Sequence, residues 1–314
     1  MGEGGAKQRV RTNETKSFFN YKYIKIMLDL LRLMRPHQWV KNVFVLTGLL
    51  FGHVWNNPTL VTQAIIAFVA FCLISSTIYI LNDIVDIEQD KHHPTKRKRP
   101  LPSGKLKIPT AAIFAALLGA TALVLAAFAS STVVVILLIY AVMNIAYSLK
   151  LKHVVILDVF IIATGFMLRI LAGTLGLGIP PSQWLLLCGL MVTLFLGFSK
   201  RRAEIIALSE DKSAHRKVLE DYSPVLLDKM IVVTAAGLIM SYSLYTMNAE
   251  TILIQGTPNL IYTVPFVIYG VFRYIYLLHH ENRGTDTAKD LARDPHLLIA
   301  VSAWLLTTLL LIAH

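Results

Sequence analysis

Six oxygen-bearing side chains, Asn82, Asp83, Asp86 and Asp90 among them, crowd into nine residues of this chain, Asn82-Asp83-Ile84-Val85-Asp86-Ile87-Glu88-Gln89-Asp90. A basic stretch follows at once, Lys91-His92-His93-Pro94-Thr95-Lys96-Arg97-Lys98-Arg99-Pro100. The acids begin where an apolar run from about Leu60 ends, so they sit at the polar mouth of a membrane-buried helix. Helical periodicity stacks Asn82, Asp86 and Asp90 on one face, with Asp83 close beside it. Three carboxylates so placed repel one another unless something positive lies between them. Hard oxygen donors of this kind suit Mg²⁺ shared with a phosphate group.

The rest of the chain places that cluster in a membrane. Of 314 residues, 55% are hydrophobic and 16% charged, with a mean hydropathy of +0.59, too apolar for a soluble domain of this length. The expected fold is all-α, a polytopic membrane protein with nine transmembrane helices at about 38–56, 59–82, 109–129, 132–149, 154–177, 183–200, 229–248, 259–279 and 295–313. Residues 1–20 are polar and carry no signal-peptide core, so they are expected to form a disordered cytosolic tail. Residues 21–314 then form one transmembrane catalytic domain, entered by an interfacial amphipathic helix at about 21–35 that Pro36 ends.

Charge gives the sidedness. The connections around Asn56-Asn57-Pro58, Ser130-Ser131, Ile179-Pro180-Pro181 and 248–259 hold no Lys or Arg. The alternate connections hold Lys91 to Lys107, Lys150 and Lys152, Lys200 to Lys229, then Arg283, Lys289 and Arg293. By the positive-inside rule the N-terminus is cytosolic, the protein is multi-pass in the inner (plasma) membrane, and every connection with reactive side chains faces the cytoplasm. The net charge of +11 is thus a membrane feature. No basic domain exists to hold nucleic acid.

Several side chains have two readings at this stage. The run Lys96 to Arg99 either grips phosphate or anchors to anionic lipid. Arg169, deep in the fifth span, either pairs with Asp158 or another helix carboxylate, or lines a wet cavity. Lys200 and Glu204 are either a plain i,i+4 surface pair or part of a site. Lys41 and Asn42 lie one turn inside the first span, where they can reach a ligand, and Arg273 is expected to snorkel. Cys72 and Cys188 lie in apolar runs and exclude a disulfide framework. No His pair has zinc spacing, and neither a phosphate-binding loop of the G-x-x-x-x-G-K type nor a G-x-S-x-G elbow is present.

With these residues in view, the chain resembles the UbiA superfamily of intramembrane prenyltransferases. The resemblance rests on N-D-x-x-D-x-x-x-D at Asn82 to Asp90, followed by Arg99-Pro100-Leu101-Pro102-Ser103-Gly104, and covers nearly everything from Arg35. Within it, Arg35-Pro36-x-Gln38-Trp39-Val40-Lys41-Asn42, His93-Pro94-Thr95-Lys96-x-x-Arg99-Pro100, Tyr147-Ser148-x-x-Leu151-Lys152-His153 and Lys200-Arg201-x-Ala203-Glu204 resemble the decaprenyl-phosphate phosphoribosyltransferase branch. The resemblance implies a UbiA-like bundle with a cytosol-facing active site. It also implies Mg²⁺-dependent transfer of 5-phosphoribose from phosphoribosyl pyrophosphate (PRPP) to a polyprenyl phosphate.

Aromatic prenyltransferases of the superfamily carry a second aspartate-rich motif where this chain has Lys200-Arg201-Arg202-Ala203-Glu204. Cations there can grip phosphate without a metal bridge. On this reading Asp83, Asp86 and Asp90 are catalytic and hold Mg²⁺, and Asn82 orients the metal site. Lys41, Lys96, Arg97, Arg99, Tyr147, Lys152, Lys200 and Arg201 bind phosphate, with Asn42, Asp158 and Glu204 also in contact with substrate. The alternatives are an aromatic polyprenyltransferase of quinone or haem biosynthesis and, from another class, a divalent-cation transporter, which needs more midplane charges than these spans contain.

Overall fold

The computed structural model describes residues 24–92, 96–210, 221–281, 284, 290 and 293–312. The tail at 1–20, the His93-Pro94-Thr95 part of the basic motif, and Arg283 and Lys289 lie outside the described residues. The described elements are all helical: α1 (24–34), a 3₁₀ stretch Pro36–Leu46, α2 (Thr47–Phe51), α3 (Pro58–Val85), α4 (Ile87–His92), α5 (Ile108–Ala129), α6 (Ser131–Leu149), α7 (Leu157–Gly173), α8 (Gln183–Glu210), α9 (Pro224–Met247), α10 (Ala249–Gln255), α11 (Val264–His280) and α12 (Pro295–Ile312).

Eight of the described helices are long and apolar enough to cross a membrane: α3, α5, α6, α7 with its following turn, α8, α9, α11 with its preceding turn, and α12. The expected first span at 38–56 is not a span-length α-helix. It is an 11-residue 3₁₀ stretch and the five-residue α2. At about 2.0 and 1.5 Å rise per residue, these laid end to end reach about 30 Å, the thickness of the hydrocarbon layer. The connection at 248–259, bland in sequence, contains α10, whose N-terminus Asn248 caps by accepting from the Glu250 and Thr251 amides.

The chain divides into two compact units. The first holds residues up to Val40 and Val69–Val124, the second Lys41–Phe68 and Leu125–His314. In the first, Leu33 of α1, Ile80 of α3, Leu101 and Leu106 of the following loop, and Ala111 and Ala115 of α5 form the core. Ser76 donates to the Met34 carbonyl (2.9 Å), and Trp39 Nε1 donates to Ser76 (3.1 Å). These bonds fasten α1 and the 3₁₀ stretch to α3. Helix α1 turns Ile24, Met27, Leu28 and Leu31 outward, an i, i+3, i+4, i+7 apolar stripe suited to lying in the membrane interface. It ends at Arg35, whose φ of 52° turns the chain before Pro36.

The second unit is a bundle in which α8 packs on both α7 and α9, and α11 on α12. Its main core joins Val159, Phe195, Phe198, Leu227, Ile231, Tyr274 and Leu277. Asp294 starts α12, accepting from the Leu297 amide (2.7 Å) and from Arg273 (2.6 and 3.1 Å). The Arg273 guanidinium holds this carboxyl down at about 2. The pairing is therefore complete at neutral pH and fades only as pH falls from the ordinary carboxylate range. Arg273, expected to snorkel, reaches this helix cap.

Two glycines set the closest backbone approach in this unit. A Cβ on Gly173 would stand 1.6 Å from the Val45 carbonyl oxygen, and one on Gly48 would stand 1.8 Å from the Gly173 oxygen. Only glycine lets the 3₁₀ stretch and α2 lie directly on α7. Gly173→Ala is therefore expected to cost about 3 kcal/mol or more, read as thermal unfolding of the detergent-solubilised protein. Gly119→Ala, whose Cβ meets only Thr77 at 3.5 Å, should leave stability within about 0.5 kcal/mol.

Candidate active site

The acidic motif is built at the junction of α3 and α4. The Asp86 amide donates to the Asn82 carbonyl and the Asp90 amide to the Asp86 carbonyl, both at 2.9 Å. The helical ladder thus runs through the motif. Asp83 and Asp90, two turns apart, fall on nearly the same face, and both are buried, at 3% exposure. A carboxylate taken out of water must be matched by charge and hydrogen bonds, and the first unit supplies three cations. Arg35 donates to Asp83 and lies over the Tyr79 ring, 5.1 Å from its centroid. Arg99 Nη1 donates to both Asp83 Oδ1 (3.0 Å) and Asp90 Oδ2 (2.8 Å), and Lys96 Nζ is 3.5 Å from Asp90 Oδ1.

The three-aspartate group expected from the motif is not assembled. Among the described residues no three His, Cys, Asp or Glu side chains come together as a metal site would require. Two of the three acids converge instead on one guanidinium nitrogen, while Asp86 and Asn82 are half-buried beside them. The donor chemistry still fits a divalent ion. Mg²⁺ commonly takes one or two carboxylates and completes its shell with water and substrate phosphate oxygens, and Asp83 and Asp90 already present oxygens to a single cationic atom. Arg97 is exposed next to Lys96. Nothing local in the sequence signals the pairing of Arg35 with Asp83, 48 residues further on.

The second unit carries a separate charged cluster. Asp158, fully buried at the start of α7, accepts from Arg201 Nε (2.7 Å) and from the Tyr222 hydroxyl (2.8 Å). Arg201 also donates to Glu204 (2.6 Å). Both ends of this guanidinium are thus committed to carboxylates, and at 2% exposure it holds Asp158 and Glu204 in place. Lys200 beside it is exposed, as is Lys41, while Tyr147 and Lys152 are half-buried. The i,i+4 pairing of Lys200 with Glu204 gives way to an i,i+3 bridge from Arg201.

Asp158 is not the partner of Arg169. That arginine donates to Asn42 (2.7 Å), the Gly165 carbonyl (2.8 Å) and Tyr140 (3.0 Å), and its guanidinium carbon lies 4.8 and 5.3 Å from the Tyr140 and Phe166 ring centroids. The close approach at Gly48 and Gly173 is what brings Asn42, also fully buried, to α7.

Tyr222 was not anticipated from sequence. Its hydroxyl also accepts from the Ile156 amide (2.6 Å). Ile156 has φ 69° and ψ −49°, and the Leu157 amide donates to the Val155 carbonyl at 2.8 Å. This is the rare positive-φ γ-turn, strained for a β-branched residue. Burial, then the hydrogen bond to Asp158, push the Tyr222 phenol above its ordinary value, keeping it a neutral donor at physiological pH.

An apolar cavity of about 350 Å³ also lies in the second unit, lined by residues that include Phe44, Val192, Phe195, Gly270, Tyr274 and Trp304.

Comparison with known proteins bears on these clusters. The profile of the UbiA prenyltransferase family matches residues 42–293. The chain is 35% identical over 271 residues to the decaprenyl-phosphate phosphoribosyltransferase of Corynebacterium glutamicum, covering 84% of this chain and 79% of that one. It is 30% identical over 287 residues to the enzyme of the same name from Mycobacterium tuberculosis, covering 90% and 93%. In fold it is similar to a UbiA homolog from Archaeoglobus fulgidus bound to GPP and Mg²⁺, with a TM-score of 0.67, 18% identity, and coverage of 91% and 97%.

Removing the hydroxyl in Tyr222→Phe leaves Asp158 one donor short and should destabilise the protein by about 2 kcal/mol. Ile156→Gly should relieve the turn and stabilise by about 1 kcal/mol. Thermal unfolding midpoints of the two variants, moving in opposite directions, check this.

Proposed function

The chain belongs to the UbiA prenyltransferase family, and we propose that it is an enzyme transferring the 5-phosphoribosyl group of PRPP to a polyprenyl phosphate, with release of pyrophosphate and with Mg²⁺ as cofactor. The observation that carries this reading is the set of cations gathered on the buried acids of the motif. Arg35, Lys96 and Arg99 surround two carboxylates, with Arg97 close by in the chain. A donor with both a pyrophosphate and a 5-phosphate, and an acceptor that is itself a phosphate, bring the negative charge that such a site matches. The names of the relatives at 30–35% identity support the same choice.

In this mechanism Asp83 and Asp90 would hold the metal through the oxygens they already present to one cation, and Asp86 and Asn82, half-buried beside them, would complete the site once metal and phosphate are bound. When bound, Mg²⁺ supplies Lewis-acid neutralisation of the charge that grows on the pyrophosphate as the C1–O bond breaks. Lys96, Arg97 and Arg99 bind phosphate oxygens. In the second unit Lys41, Tyr147, Lys152 and Lys200 are further phosphate ligands, while Arg201 positions Asp158 and Glu204, and Asn42 positions Arg169. The acceptor phosphate is an anion at neutral pH and attacks C1 without a strong general base, inverting it. Positioning and preorganised charge then account for most of the acceleration. The apolar cavity takes a section of the isoprenoid chain, which gains nothing by entering water. The charge-bearing connections, and with them this chemistry, face the cytoplasm by the positive-inside rule.

Purified protein given labelled PRPP and polyprenyl phosphate with Mg²⁺ should label the lipid, whereas prenyl diphosphate with a hydroxybenzoate should not yield product. Label from the second pair alone would overturn the assignment. Asp86→Asn, at a half-buried acid outside the Arg99 bridge, should lower transfer by about a hundredfold or more while the protein stays folded by circular dichroism. Gly270→Leu, at a lining position of the cavity where a Cβ stands 4.0 Å from its nearest neighbour, should raise KM for the polyprenyl phosphate and leave KM for PRPP unchanged.

A further inference from the structure

The two buried carboxylates of the motif share one nitrogen. Arg99 Nη1 lies 3.0 Å from Asp83 Oδ1 and 2.8 Å from Asp90 Oδ2. A divalent ion bound to the same two oxygens would stand about 2.1 Å from each, in space the guanidinium now occupies. Metal and Arg99 therefore exclude one another at these atoms. Resting on the reading of Asp83 and Asp90 as metal-holding, we infer that Arg99 is a resident counter-ion that the metal must displace, and that its guanidinium, once displaced, becomes a ligand for the incoming anionic substrate.

The surroundings single out Arg99 among the three cations. Arg35 contacts Asp83 alone and is held over the Tyr79 ring, next to a turn of fixed, left-handed backbone. Lys96 meets Asp90 at 3.5 Å, longer than either Arg99 contact. Among the described residues Arg99 alone bridges both acids, and its side chain remains 32% exposed, so it has water to move into. The carboxylates, at 3–4% exposure, have none, so a bridging cation must be present at all times.

Charge sets the order of events. Arg35, Lys96 and Arg99 touch Asp83 and Asp90, so these two carboxylates are neutralised before any metal arrives. A divalent ion alone adds positive charge to them. A phosphate-bearing ligand arriving with it offsets that charge and gives Arg99 a new anionic partner. Metal and substrate then bind with positive, reciprocal coupling, and the metal-free protein keeps its acids neutralised without one.

The test measures Mn²⁺ binding to the full-length, detergent-solubilised protein by electron paramagnetic resonance, with no phosphate present. Arg99→Gln should bind Mn²⁺ about tenfold tighter than wild type. Lys98→Gln, which removes the same charge one residue away at an exposed position, should bind as wild type does. A second measurement needs no variant: phenylglyoxal modification of Arg99 in the wild-type protein, followed by mass spectrometry, should speed up when Mn²⁺ is added, with exposed Arg32 as the internal reference. Equal or weaker binding by Arg99→Gln, an equal gain in Lys98→Gln, or Mn²⁺ that leaves Arg99 modification unchanged or slower would overturn the displacement while leaving the metal reading in place. No Mn²⁺ binding by wild type or variant would overturn both.

Discussion

Carboxylates kept from water at the end of a membrane helix are tolerable only while something cationic touches them, and the acidic motif is organised by that requirement. The desolvation cost of such an ion is several kcal/mol, more than any propensity or cap in this chain can offset. Asp83 and Asp90 meet it through Arg99, which bonds both, with Arg35 and Lys96 on the flanks. Each of these cations has to be delivered by an element packed onto α3: Arg35 by α1, Lys96 and Arg99 by the loop before α5. The apolar core of Leu33, Ile80, Leu101 and Leu106 therefore serves the chemistry as well as the fold, because it fixes where those cations end.

The same requirement recurs in the second unit with a different solution. Asp158 is satisfied by Arg201 and Tyr222, and the tyrosine hydroxyl also meets the amide of a strained γ-turn at Ile156. A positive-φ isoleucine persists only where neighbours over-determine it. Here the fully buried Asp158 immediately follows the turn, and the tyrosine that bonds the turn also bonds that carboxylate. Arg169 is handled with neutral acceptors and aromatic faces. Such a site spreads one buried charge over several partial charges.

Much of the membrane architecture was legible in the residues. Apolar runs marked out the segments that became α3, α5 to α9, α11 and α12, because a helix facing lipid must be apolar around most of its surface. The motif from Asn82 to Asp90 marked a helix end that presents acids, and the structure has it at the junction of α3 and α4. The first segment was less legible. Its hydropathy matches a span, but hydropathy does not distinguish a 3₁₀ helix from an α-helix, and the close contact that Gly48 and Gly173 permit depends on residues far apart in the chain.

What the sequence by itself determined was thus what hydropathy, helical period and charge carry locally: the apolar helices, the helix end that presents acids, and the basic stretch beyond it. Which charge meets which was decided only by tertiary structure. Arg35 and Asp83 are 48 residues apart, Tyr222 and Asp158 are 64 apart, and Arg169 and Asn42 are 127 apart. Sequence proximity offered Asp158 to Arg169 on the same helix, yet packing gave it to Arg201 of α8. An ion pair forms between the groups that packing brings within about 3 Å, and along one α-helix that distance is reached only three or four residues away. Every longer-range partner is chosen by which helices share a face.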